Sequence, residues 1–309
     1  MIAGIVILYY PDPPVLSRLV AGLRGQAQRL IAVDNTPGCA SADVTAALQA
    51  DIPVDYIPLS YNGGIGAAQN EGIRRAMDLG CSHVLLLDQD SAPAAGMIAR
   101  LLSAESELLE KGEKVAAIGP VFIDGKTNER SCSIAYAPFS VRRIPLHPHS
   151  PRPVETANLI ASGSLIRTSI LQTVGTMRGD LFIDFVDTEW GLRARNRGYR
   201  CYCVPDAEMA HSTGDRAVRF FGKNLYTHSD LRNYYRIRNA IYLLRTPSMG
   251  WGWRTYMAIR IPFYVLLFPS LSAKKVRNIR AMFRAVLDGI RGRLGPAPES
   301  LMQNRGNAG

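Results

Sequence analysis

The sequence predicts an α/β protein, with a doubly wound, mostly parallel sheet flanked by helices and a basic helical extension at its C-terminal end. Three observations carry that prediction. Short uncharged runs, of the kind buried on both faces of a parallel sheet, alternate with helical apolar spacing from residue 2 to residue 88. One of these runs, residues 83–87, opens onto Asp88-Gln89-Asp90, at the edge where open α/β sheets bind their ligands. Basic charge is concentrated at one end: residues 232–309 hold 14 Lys/Arg against 2 Asp/Glu, whereas the first 231 residues hold 22 against 24.

In chain order, residues 2–8 form a strand, and Tyr9-Tyr10-Pro11-Asp12-Pro13-Pro14 a turn. Residues 15–28 carry Val15, Leu16, Leu19, Val20 and Leu23 at helical spacing. A second strand at 30–33 ends at Asp34-Asn35-Thr36, a helix covers 42–49, and a third strand covers 54–57. Asn62-Gly63-Gly64-Ile65-Gly66 leads into a helix over 67–79 and then to the strand that ends at Asp88. This alternation is that of a parallel sheet with helices on both faces. It is not a dinucleotide-binding fingerprint, which requires G-x-G-x-x-G directly after the first strand, where Tyr9-Tyr10-Pro11 stands here. The glycines instead allow close approach of backbone to a ligand and open a helix with free N–H groups.

Residues 115–121 read as a further strand, and 124–153 as an irregular, polar excursion in which His147 and His149 are solvated. Residues 156–166 read as one strand with Ser162 and Gly163 at its centre, small enough for a ligand to approach. From 181 to 200 a helix capped by Asp187 or Thr188 runs to Gly198, with acid at its start and base at its end as the helix dipole favours. Asp184, Asp187 and Glu189 there lie among Phe182, Ile183, Phe185, Val186 and Trp190, an apolar setting that raises a carboxylate pKa into the range of a general base. Residues 199–205 form the last strand, and His211 follows beside a turn.

Asp88 and Asp90 are two residues apart, so in extended chain both side chains address one centre. Like charges that close need a cation, and carboxylates suit Mg2+ or Mn2+, with His211 a candidate third ligand. The five cysteines form an odd count without CxxC spacing, which argues against a zinc ribbon or a disulfide framework and fits a reducing cytoplasm. The amino terminus lacks a basic region ahead of its apolar run, so no signal peptide is expected.

In the tail, residues 231–244 are helical, and 261–269 form an apolar segment too short to span a bilayer and broken by Pro262 and Pro269. From 272 to 294, Val276, Ile279, Phe283, Val286, Leu287, Ile290 and Leu294 keep helical spacing among Lys and Arg residues. Such a helix packs on its own domain or on a second subunit of a homo-oligomer, or it lies on a membrane surface; the basic character of 251–294 favours peripheral membrane association. Residues 296–309 read as a disordered end.

In order along the chain, these features resemble the inverting family 2 glycosyltransferases of GT-A fold, and within them the bacterial rhamnosyltransferases. The likeness rests on Tyr9-Tyr10-Pro11, Val33-Asp34-Asn35, the stretch from Asn62 to Gly72, Leu87-Asp88-Gln89-Asp90-Ser91, the stretch from Phe182 to Trp190, and His211. It implies a catalytic domain over 1–245, with the nucleotide-sugar half over about 1–120 and the acceptor half over about 121–245. It implies that Tyr9, Asp34, Asn35, Asn62, Gly63, Gly64, Gly66, Asp88 and Gln89 surround the nucleotide sugar. Asp88, Asp90 and His211 would hold Mg2+ or Mn2+, and Asp187 would be the catalytic base. Ser162, Gly163, Asp184, Glu189 and Trp190 would contact or support the acceptor. The donor implied is dTDP-rhamnose, with a UDP-sugar as the alternative. The acceptor implied is a hydroxyl of a cell-surface glycan precursor, lipid-linked on the cytoplasmic face of the inner membrane.

Two other classes are weighed. A nucleic-acid-binding module would owe its affinity to the basic tail, but no fold signature of that class is present and a carboxylate-rich cleft repels phosphates, so no nucleic-acid partner is expected. A nucleotidyltransferase shares a metal–carboxylate centre and is told apart by releasing pyrophosphate.

Overall fold

A strand covered on both faces needs apolar side chains on each side, and β1 (Ile2–Leu8) meets this with all seven residues buried. The computed structural model describes residues 1–38, 42–49, 52–124, 129–147, 152–211, 216–220, 223–227, 229–271 and 275–302. After β1 come α1 (Pro13–Leu23), β2 (Arg29–Asp34), α2 (Ala42–Ala47), β3 (Val54–Pro58), α3 (Ile65–Asp78) and β4 (His83–Asp88). The four strands pair in parallel in the order β3-β2-β1-β4. Helix α1 begins with its two prolines in the first turn, where a missing N–H costs no hydrogen bond. It stops at Leu23 rather than near residue 28, because Gly25 turns into the left-handed region with φ 66°.

The second half adds β5 (Ala92–Pro93), α4 (Met97–Glu110), β6 (Val115–Asp124), β7 (Cys132–Ala137), β8 (Ser140–Pro145), β9 (Val154–Thr156), β10 (Leu165–Arg167), α5 (Thr168–Val174), α6 (Val186–Asn196) and β11 (Arg200–His211). The main sheet runs β3-β2-β1-β4-β10-β6-β11-β5, with β9 also on β11. Strand β10 is antiparallel to both β4 and β6, and β6 and β11 are parallel. The sheet is therefore mixed and mostly parallel, as expected. A hairpin of β12 (Arg216–Phe220) and β13 (Lys223–Thr227) precedes α7 (Asp230–Leu243), α8 (Trp251–Leu271), α9 (Lys275–Arg291) and α10 (Glu299–Met302).

Alternate residues of the central strands feed two cores. Ile5, Ile7, Val84 and Leu86 point to the face covered by α3, α6, α7 and α8, where Trp190, Ala240 and Trp253 pack. Val6, Leu8, Leu85 and Leu87 point to the other face, against Leu16 and Leu19 of α1 and Leu101 of α4. This two-sided burial places the C-terminal ends of β1, β2 and β4 along one edge.

The structure corrects or completes several sequence expectations. Residues 124–153 are not irregular throughout: 132–145 fold as the β7–β8 hairpin, paired from Cys132–Pro145 to Ala137–Ser140. His147 follows it, and His149 lies outside the described residues. Residues 156–166 are not one strand, because Gly163 adopts φ 79° and separates β9 from β10. Helix α6 begins at Val186, behind Phe185 in the left-handed conformation, so Asp187 sits in its first turn and does not cap it. Pro262 and Pro269 do not break the apolar segment, which runs through both as α8. Helix α4, with Leu101, Ala104 and Leu108 on its buried face, was not anticipated. Of the expected disordered end, 299–302 are helical and 303–309 lie outside the described residues.

Candidate active site

The edge formed by β1, β2 and β4 faces the glycine turn before α3. Asn35, at the end of β2, is 5% exposed. Its amide donates to Asn62 Oδ1 at 3.0 Å and its carbonyl oxygen accepts from Gly63 N at 2.8 Å. Asn62 Oδ1 also accepts from Gly64 N at 3.0 Å. Two asparagines thus hold the turn in one shape. Asp34 is buried, with Oδ1 accepting from Thr36 N at 2.9 Å and Oδ2 from the Tyr56 hydroxyl at 2.6 Å. Gly64 has φ 83° and ψ 161°, a region only glycine occupies freely. A Cβ there would lie 2.6 Å from the Phe182 carbonyl oxygen, and one on Gly66 would lie 2.9 Å from that of Arg178. The close approach lets Ile65 N donate to Phe182 O at 2.7 Å. Among the described residues no side chain caps α3, so its first-turn N–H groups beyond Ile65 remain suited to an anion.

Asp88 ends β4 and Asp90 stands in the following turn, both half-buried. The turn is braced from two sides. Ser91 and Ser162, each 1% exposed, hydrogen-bond to one another, and both hydroxyls reach Asp88 N, at 3.1 and 3.3 Å. Gly163 N donates to Leu86 O at 2.7 Å. Gln89 bonds through both its oxygen and its amide to the backbone of Tyr9, at 2.8 and 3.3 Å, tying the turn to the end of β1. Ser162, Gly163 and Gln89 therefore shape the carboxylate turn. Strand β5 pairs Ala92 with Ala210 of β11, so the next step along β11 brings the His211 backbone level with Ser91. The His211 side chain lies outside the described residues, and among those described no three His, Cys, Asp or Glu side chains form a metal cluster. The oxygen donors of Asp88 and Asp90, close in sequence at a partly open edge, are of the type that hard divalent cations take.

Asp187 lies beside a narrow apolar pocket lined by Leu86, Ala161, Met177, Trp190 and Gly191. Burial pushes its pKa above the ordinary carboxylate value, and the negative charge of Asp184 pushes the same way. Hydrogen bonds from Thr188 N (2.7 Å), the Thr188 hydroxyl (3.3 Å) and the Ala161 backbone oppose that rise. The net effect is a carboxylate of increased basicity. Asp184 reaches Arg232 Nε at 3.4 Å through Oδ1, while its buried Oδ2 has no partner among the described residues. Glu189 and Trp190 turn inward. Glu189 is 1% exposed and held by Arg193 at 3.0 Å, and the Trp190 indole donates to Gly175 O at 2.8 Å. They brace α6 behind Asp187, and Trp190 also lines the pocket beside it.

Two features escaped sequence reasoning. The segment before α6 is held by α7: Asn239 Nδ2 donates to the carbonyls of Leu181, Ile183 and Asp184 at 2.9, 2.8 and 3.2 Å, and Arg238 Nη2 to Leu181 O at 3.0 Å. Both side chains are fully buried. This clamp supports three non-glycine residues of positive φ, Phe182, Asp184 and Phe185, and so sets where Asp187 points. The paired Arg238-Asn239 was a visible signal, since the two stand between Ile237 and Ala240 on the packing side of the helix, where polar groups need partners. The β7–β8 hairpin brings Tyr136 into electrostatic reach of Asp187; burial above all, and then that charge, raises the phenol's pKa.

A family model described as "Glycosyltransferase like family 2" matches residues 4–231. The dTDP-rhamnosyl transferase RfbF of Shigella flexneri is 32% identical over 300 residues, covering 94% of this chain and 96% of that protein. The chain belongs to the family 2 glycosyltransferases. Solved structures show the same fold at low identity. GalNAc-T7 with UDP, GalNAc and Mn2+ superposes with a TM-score of 0.61 at 14% identity, covering 95% of this glycosyltransferase and 57% of that chain. S. aureus TarS 1–349 in complex with UDP-GlcNAc gives 0.55 at 13% identity, covering 97% and 82%. The expected GT-A architecture is therefore shared, and the edge carrying Asp88, Asp90 and the glycine turn belongs to a glycosyltransferase fold.

Proposed function

We propose that this glycosyltransferase moves L-rhamnose from dTDP-rhamnose to a hydroxyl of a cell-surface glycan precursor, inverting the anomeric centre. The observation that carries the reading is the likeness to a dTDP-rhamnosyl transferase over nearly the whole length of both chains. The glycine turn locked by Asn35 and Asn62 lies against the nucleotide, with Tyr9, Asp34, Gly63, Gly64 and Gly66 shaping that half of the site. Asp88 and Asp90 would hold Mg2+ or Mn2+, with His211 as a further ligand. Such an ion, when bound, offsets the negative charge that builds on the leaving diphosphate.

Asp187 takes the proton of the acceptor hydroxyl as that oxygen attacks the anomeric carbon from the face opposite the leaving group. Its apolar surroundings keep it basic, and the backbone clamp of Asn239 keeps it aimed. A single displacement inverts the centre without a covalent intermediate. Residues 1–120 serve the donor and 121–245 the acceptor. The precursor is lipid-linked, and the enzyme works at the cytoplasmic face of the inner membrane, resting on it peripherally through residues 251–294.

The test is thermal stability against dTDP, UDP and GDP with and without Mn2+ or Mg2+, since a ligand of the native state raises the midpoint by mass action. A metal-dependent rise with dTDP, lost in Asp90→Asn, supports the reading. A rise with UDP alone keeps the transferase and discards rhamnose.

A further inference from the structure

A helix that merely completes its own domain buries its bulkiest apolar residues. Helix α9 does the reverse. It packs on α7 and α8 through Asn278, Ala281, Met282, Ala285, Asp288 and Gly289. Asn278 and Asp288 are 0% and 1% exposed, and the Asp288 carboxylate is held by the Tyr234 hydroxyl and by Arg284. A Cβ on Gly289 would lie 2.7 Å from Arg238 O, so this side is fitted closely to α7. Val276, Ile279, Phe283 and Ile290 meanwhile stand 66%, 55%, 66% and 54% exposed. At 3.6 residues per turn they share one stripe, on the side of the helix opposite the buried residues.

Helix α8 packs on the core with apolar residues but also leaves apolar residues outside. Met257, Ile261, Tyr264 and Phe268 are buried, whereas Ile259, Phe263 and Leu266 are 57%, 51% and 77% exposed and again fall on one side. Two adjacent helices thus leave seven large apolar residues outside, four on α9 and three on α8. Apolar surface gathered in this way marks a site of interaction.

The charge beside the stripe says what it meets. On α9 the exposed polar neighbours are Lys275, Arg280, Arg284 and Arg291, and the helix's one acidic residue, Asp288, is buried on the far side. Among the described residues no helix is long and apolar enough to cross a membrane. An apolar stripe bordered by cations on a helix that does not span fits the boundary between anionic headgroups and acyl chains.

We infer that the outward faces of α8 and α9 form a docking surface for an anionic lipid bilayer, with Ile259, Phe263, Leu266, Val276, Ile279, Phe283 and Ile290 entering the headgroup boundary. This deepens the proposal of peripheral membrane association and rests on it. It also explains why α9 is anchored by a side of mostly small residues with Asn278 and Asp288 among them: the buried contacts fix the helix on α7 and keep the apolar stripe presented.

The test is co-sedimentation of the full-length protein with vesicles of phosphatidylcholine alone or mixed with phosphatidylglycerol, at low and high salt. The protein is expected to bind the mixed vesicles, to bind phosphatidylcholine weakly, and to be released by salt. Phe263→Ser with Phe283→Ser should weaken binding at least about tenfold, because the buried apolar area is lost. Arg280→Gln with Arg291→Gln should weaken it and flatten its salt dependence. Both double variants, made at exposed positions, should keep the thermal midpoint. Absence of phosphatidylglycerol-dependent binding, or binding unchanged in both variants, would overturn the inference. So would a dimer in sedimentation velocity that the serine variant dissociates, without vesicle binding, since a second copy would then cover the face. Rhamnosyl transfer to a water-soluble acceptor, measured without vesicles, judges the enzymatic reading separately: its failure leaves the vesicle result to decide the docking face.

Discussion

Replacing Gly64 by alanine tests how closely the donor turn and the catalytic segment are joined. At φ 83° and ψ 161° the residue lies where non-glycine backbone costs about 1–3 kcal/mol. The added Cβ would also stand 2.6 and 2.7 Å from the backbone oxygen and Cα of Phe182, which cannot swing aside as a flexible side-chain tip would. Overpacking of this kind costs about 1–3 kcal/mol more. The combined loss is about 2–6 kcal/mol, and at roughly 2 °C per kcal/mol for a chain of this size the midpoint should fall by about 4–12 °C. Relief requires Phe182 to retreat, which breaks the Ile65–Phe182 hydrogen bond and disturbs the approach to Asp187. Donor affinity measured by calorimetry should fall at least about tenfold, which corresponds to 1.4 kcal/mol. Gly80→Ala is the control: its φ is 69°, but nothing lies within 4 Å of the new Cβ, so only the backbone term, about 1 kcal/mol, is lost. If Gly64→Ala matched Gly80→Ala in both midpoint and donor affinity, the argument for a close junction would be wrong.

Three further outcomes are expected. Asp187→Asn should fold and bind donor while kcat falls about 10²–10⁴-fold, or about 3–5.5 kcal/mol of activation free energy, as measured by steady-state assay. Because the folded pKa of Asp187 is raised, the stability tied to this group is full below its unfolded pKa and declines as pH rises from the ordinary carboxylate value to the raised one. Asp187→Asn should therefore melt higher than the wild type at neutral pH, and the acidic limb of the wild-type kcat/KM profile should lie above the usual carboxylate range. Asn239→Asp turns an amide that serves three carbonyls into an acceptor facing acceptors, and should cost on the order of 3 kcal/mol in denaturant unfolding. Arg193→Ala leaves Glu189 charged and 1% exposed without its partner, and should lower stability by about 3–5 kcal/mol while leaving donor affinity in place.

The parallel half of the sheet was legible because the interiors of β1, β2 and β4 are uncharged on both faces, and β2 and β4 end in carboxylates at Asp34 and Asp88. Asp88, Asp90 and Asp187 were legible for the same reason, since carboxylates directly after or within apolar runs stand out. The rest depends on tertiary contacts that periodicity does not report. Strand β8 has two half-buried arginine-flanked positions and otherwise faces water, so its alternation is weak. The start of α6 is set by three left-handed residues that Asn239, more than fifty positions away, holds in place. Helix α8 survives two prolines because its buried side, from Trp253 to Phe268, packs on the core. For α9 the apolar spacing predicted the helix correctly, but spacing alone does not say whether the stripe turns toward the protein or away.

The most direct test of the account is proton NMR of the enzyme turning over dTDP-rhamnose with an acceptor, reading dTDP release and the anomeric configuration of the product together. The account predicts one dTDP released per rhamnose transferred, with the configuration inverted and both signals lost in Asp187→Asn. Retained configuration, or full turnover in Asp187→Asn, would contradict a single displacement with Asp187 as its base.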